Sequence, residues 1–183
     1  MVKLFYLLCG FAILGVIDIG YFHIYRFKLY RLPASRGEQV THLLRTILFF
    51  VALSWVMFTD AQGIFSFVLP VILLADFINS MVDVLLEPKS RIFLGGLPPL
   101  EYFVHMVTMF VSGAIMAVAL MECGRTLNMQ PRLSYRLLEV PPMSLILGWQ
   151  ILVVTIGFCL FEGVSFVRSV LKAKTDTSTI SSG

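Results

Sequence analysis

The sequence predicts an all-α integral membrane bundle of about five transmembrane helices. Three observations predict it. Of 183 residues, 58% are hydrophobic and only 14% are charged, against about 45–50% and about 25% in a soluble domain. Mean hydropathy is +0.88. The apolar residues fall into five runs of about 20, the length that crosses a hydrocarbon core about 30 Å thick. This balance excludes a disordered chain, a coiled coil and an ordinary soluble enzyme.

The first run is Leu4–Phe22. Met1-Val2-Lys3 and the apolar stretch after it resemble the start of a signal peptide. No small-x-small cleavage site follows, so the segment reads as a retained helix. The second run is Glu38–Thr59 and the third Ile64–Glu87, joined by the turn Asp60-Ala61-Gln62-Gly63. A loop ending Gly95-Gly96-Leu97-Pro98-Pro99 leads into the fourth, Glu101–Met121, because proline suits a first helical turn. The fifth is Met143–Val167. Residues 1–171 read as one transmembrane domain, and 172–183, rich in Ser and Thr, as a flexible polar tail.

An odd number of spans puts the termini on opposite sides. The face of the first loop, the third loop and the C-terminal tail then carries ten of the 14 Lys and Arg residues, Arg45 in the near part of the second span included, and the other face four. The positive-inside rule makes the ten-residue face cytoplasmic, with the N-terminus outside. Basic residues spread over loops in this way serve orientation; they predict no nucleic-acid partner. The three cysteines form no C-x-x-C pair and no disulfide framework, and they read as small apolar residues.

The acidic residues and histidines concentrate at the cytoplasmic ends of the spans. Asp18 and His23 close the first, Glu38 and His42 open the second, and Glu101 and His105 open the fourth. Asp76, Asn79, Asp83 and Glu87 step by three, four and four along the third, which is one helix face. Glu38/His42 and Glu101/His105 are i, i+4 pairs, and each projects from one face. Taken singly, Glu38 and Glu101 are ordinary first-turn acids favoured by the helix dipole. That account does not reach Asp83 and Asp76, about 6 Å and about 16 Å below Glu87 at 1.5 Å per residue.

Ionisable groups inside a bilayer usually face the bundle interior. Carboxylates and imidazoles converging from facing helices are how bundles hold two metal ions. The expected ligands are His23, Glu38, His42, Asp83, Glu87, Glu101 and His105. Asp18, Asp76, Asn79 and Arg91 are expected to orient them from behind. Glu162 in the fifth span reads equally as a ligand, a proton relay or a packing group. The mixed carboxylate and imidazole set favours two iron ions, with manganese or zinc as alternatives. In ligand inventory it resembles the di-iron carboxylate enzymes, although their Glu-x-x-His spacing is here Glu-x-x-x-His.

The segment Glu87-Pro-Lys-Ser-Arg-Ile-Phe-Leu-Gly-Gly-Leu-Pro-Pro-Leu-Glu-Tyr-Phe-Val-His105 resembles the core signature of an uncharacterised group of small bacterial multi-pass membrane proteins. The resemblance covers residues 18–105 at most. It implies a bacterial inner-membrane location and no particular activity.

The expected function is a metal-dependent membrane oxidoreductase of di-iron type. Its expected partners are membrane lipid and a hydrophobic small-molecule substrate reached from the cytoplasmic leaflet. A zinc hydrolase is the second reading. A proton or metal-ion transporter or accessory subunit is the third, but a pathway needs polar residues through the whole depth, and the far halves of the first four spans are almost wholly apolar. No nucleophile elbow, phosphate-binding loop or His-Glu-x-x-His run is present.

Overall fold

The computed structural model describes residues 1–92 and 95–180, with side chains as far as Leu171. It is all-α in class and 83% helical. Helix α1 (Val2–Gly15) runs on into a π-helical stretch, Val16–Arg26. Helices α2 (Arg36–Phe58), α3 (Val68–Ser90), α4 (Pro99–Thr126) and α5 (Pro142–Ile180) complete the bundle. Five helices, α1 with its extension and α5 as far as Leu171 among them, are long and apolar enough to cross a membrane. This matches the five runs read from the sequence. The polar tail expected over 172–183 has its last three residues outside the described residues.

Helix α2 packs against both α3 and α5, while α1 packs mainly against α4. The core changes chemistry along its length. At one end Leu4, Phe5 and Leu8 of α1 interlock with Leu53, Val56 and Met57 of α2 and with Ile115 and Ala119 of α4. At the other end the buried side chains are mostly charged or polar.

Two features were not expected from the sequence. The turn after α2 forms a strand, β1 (Thr59–Gln62), that pairs antiparallel with β2 (Arg132–Tyr135) from the loop after α4. Both connections emerge at the apolar end, so each satisfies the other's backbone polar groups there. Next to this ribbon Gly63 adopts a φ of +60° and lies against the backbone of Met129 and Pro131, with room for no Cβ. Gly63→Ala is expected to lower stability by at least the roughly 1–2 kcal/mol of a left-handed L-residue. Detergent unfolding checks this, with Gly124→Ala, which meets nothing within 4 Å, as the neutral comparison.

The second feature is the π-helical end of α1. Its bonds run between residues five apart, as where Phe27 N–H donates to the Phe22 carbonyl at 2.9 Å. Residues five apart therefore share a face, and Asp18 and His23 come to lie one above the other. An ordinary α-helix would turn them apart. Such wide turns recur at functional sites.

Candidate metal centre

The polar end brings together residues from all five helices and the turn after α3. His23, from α1, lies at its centre. One face of its ring stacks on His42 of α2, with centroids 4.4 Å apart and planes tilted by 16°. The two Nδ1 atoms are 3.0 Å apart. His23 Nδ1 is also 3.8 Å from Glu38 Oε1. On the opposite edge His23 Nε2 lies 3.0 Å from Glu101 Oε1 and 3.6 Å from Asp18 Oδ1. Asp18 Oδ1 in turn meets His105 Nε2 of α4 at 2.9 Å.

Two sets of ligand atoms follow, each confined within 4.8 Å: Asp18, His23, Glu101 and His105, and His23, Glu38 and His42. Metal–ligand bonds of about 2.0–2.2 Å hold donors at most about 4.4 Å apart, so the spread of each set is close to that of one coordination sphere. His23 belongs to both.

The expected ligands thus divide. His23, Glu38, His42, Glu101 and His105 fall within these sets, and Asp18, expected only to orient ligands, joins them. Asp83 and Glu87 fall outside both sets and sit behind two of the imidazoles. Asp83 Oδ2 is 3.4 Å from His42 Nε2, and Glu87 Oε1 is 3.0 Å from His105 Nδ1. A carboxylate on the second ring nitrogen is the usual way a metal-binding histidine is held in orientation. Asn79 acts one step further out: its amide donates to the Thr41 carbonyl at 2.8 Å, and the Thr41 hydroxyl donates to Asp83. Asp76 lies apart, 3.9 Å from Arg45 Nε.

Arg91 is almost wholly buried, at 1% exposure. The turn that follows α3 folds it back under the helix, with its own N–H bonded to the Glu87 carbonyl. Its guanidinium donates to Glu38 Oε2 at 3.0 Å and to Glu101 Oε1 at 2.5 Å. The same Nη2 is 3.0 Å from His23 Nε2. Burial opposes its charge, but the bonds to Glu101 and Glu38 outweigh burial and hold its pKa above the ordinary value. Arg45 serves the far side, donating to Ser80 Oγ at 2.5 Å and lying 3.9 Å from Asp83.

Sequence reasoning left Glu162 undecided and missed Thr41 and Ser80. Glu162 of α5 reaches the cluster, with Oε1 3.8 Å from His42 Nδ1. Only the packing of α5 on α2 decides that. A small cavity of about 20 Å³ lies between Glu162, His42, His23 and Glu38. A second of the same size lies beside Asp18, Asp83, Glu87 and His105. Each has room for one water-sized body.

The donor chemistry fits a cation. Seven carboxylates are buried here, those of Asp18, Glu38, Asp76, Asp83, Glu87, Glu101 and Glu162. Among the described residues two guanidinium groups, of Arg45 and Arg91, and three imidazoles, of His23, His42 and His105, pair with them, so even with every imidazole protonated five cations face seven acids. Buried charge without compensation is costly. The Oε2 atoms of Glu101 and Glu162 are buried with no hydrogen-bond partner among the described residues. No cysteine takes part in either set, so the donors are imidazole nitrogens and carboxylate oxygens throughout. Comparison with protein-family models, curated proteins and solved structures finds no match for this chain.

Proposed function

We propose that this protein is a membrane-embedded, metal-dependent oxidoreductase of di-iron type that acts on a lipid-like substrate. The observation that carries the reading is the convergence of three histidines and their carboxylates, from separate helices, into two adjoining donor sets. His23, His42 and His105 would supply nitrogen ligands. Glu38, Glu101 and Asp18 would supply oxygen ligands, and Glu162 is near enough to join the set around His42. Asp83 and Glu87 would hold His42 and His105 in the orientation that presents the opposite ring nitrogen. Bound iron would supply the redox chemistry, while the protein excludes water and fixes the donors. The charge bias of the loops supports an N-terminus outside, a C-terminus inside, and a centre opening toward the cytoplasmic leaflet. The apolar core of the far end favours a one-sided site over a path through the membrane.

Elemental analysis of protein purified in mild detergent tests this. The expected result is close to two iron or manganese ions per chain, lost in both His42→Ala and His105→Ala. One zinc per chain would move the reading to a hydrolase with a metal-activated water. No metal, with both variants folding normally, would end the enzyme reading.

A further inference from the structure

We propose that the groove between α1, α2 and α5 binds the uncharged alkyl chain of a bilayer lipid. The proposal rests on the membrane-enzyme reading above and gives its substrate a place. Helix α5 packs along α2 and approaches α1 and its extension at two points that bracket the groove. At Gly148 a Cβ would come within 2.9 Å of Phe5 and Met57, so any larger residue would push those side chains aside. At the second point Phe158 lies over Gly20, 3.4 Å from where a Cβ would stand. Ten residues of α5 separate the two contacts, about 15 Å of helix. Between them α1 and α5 part over α2, leaving a groove of about 390 Å³. That lies within the roughly 300–1,000 Å³ of small-molecule pockets.

The walls select an occupant by charge. Gln150, Thr46 and Thr155 are the neutral polar wall residues, and the two threonine hydroxyls donate to the His42 and Ile151 carbonyls of their own helices. The threonines have no hydroxyl proton left for a ligand. Arg45 contributes the one charged wall group among the described residues, and its guanidinium is turned to Ser80, Asp76 and Asp83 on α3. An anionic headgroup placed there would meet those two carboxylates. A hydrocarbon chain meets no such cost. The rim is open and apolar at Ile13, Val16 and Val154, which are 62%, 46% and 48% exposed. In a bilayer that opening faces alkyl chains. Arg45 also lines the small cavity beside Asp83, Glu87 and His105. A chain in the groove therefore lies one side chain away from the donor cluster.

The test uses the full-length protein in phosphatidylcholine vesicles containing a small fraction of phosphatidylcholine with a diazirine on one acyl chain. After photolysis, peptide mass spectrometry maps the adducts. The expected result is labelling of Ile13, Val16 and Val154 several-fold above comparably or more exposed apolar residues elsewhere, such as Leu85 and Phe110. Ala12→Phe, which fills the groove, should bring it down to their level, and Ile151→Trp serves if that variant does not fold. Labelling in proportion to exposure, or labelling unchanged by a folded groove-filling variant, would overturn the proposal. Metal content is read on the same samples. Groove labelling without metal keeps the groove and removes the enzyme reading; metal with even labelling removes the groove alone.

Discussion

His23→Ala is expected to empty both metal positions at once. His23 is the one residue common to the two donor sets. Its Nδ1 faces His42 and Glu38, and its Nε2 faces Glu101 and Asp18. Alanine removes both nitrogens and also the ring on which His42 stacks. Metal content in His23→Ala should fall close to zero. Asp76→Asn, whose carboxylate lies against Arg45 and away from both sets, should retain the wild-type content. Loss of only one ion in His23→Ala would mean that the two positions do not share this ring. Equal loss in Asp76→Asn would mean that metal binding follows the general charge of the polar end rather than these two sets.

Arg91→Gln is expected to lower the stability of the metal-free protein by about 3–5 kcal/mol, the usual cost of removing one partner from a buried ion pair. Glu38 and Glu101 are 2% and 0% exposed, and Arg91 is within 3.0 Å of both. Glutamine leaves the two carboxylates buried without that counter-charge. A divalent cation bound between the same oxygens replaces it. Added manganese should therefore stabilise Arg91→Gln more than the wild type. Unfolding by titrated denaturing detergent, with and without manganese, measures both effects. A metal-free Arg91→Gln protein as stable as the wild type would show that protons, not Arg91, compensate these acids.

Arg91 also shows where sequence reasoning stops. Its position four residues after Glu87 places it near the acids, but a basic residue at the end of a span is equally suited to lipid phosphate. The fold decided between them by turning the chain back after Ser90 and burying the guanidinium. Asp18 and His23 show the same limit. Their five-residue spacing faces apart on an α-helix, and only the π-helical turn at the end of α1 joins them. The ribbon of Thr59–Gln62 with Arg132–Tyr135 joins residues about 73 apart in a loop pairing that no local pattern announces.

What the sequence determined by itself is everything that depends on short range. Five apolar runs set five helices, because the hydrophobic requirement of a span is a sum over about 20 consecutive residues. The i, i+4 pairs Glu38/His42 and Glu101/His105 and the stripe from Asp76 to Glu87 followed from helical period alone. What the tertiary structure decided is which stripes meet. Packing of α2 against α3 put Asp83 behind His42, and packing of α2 against α5 brought in Glu162. The closeness of α1 to α4 set Asp18 against His105 and opened the groove beside α5. Those contacts depend on the shapes of whole helix faces brought together across the chain, and no window of sequence contains both partners.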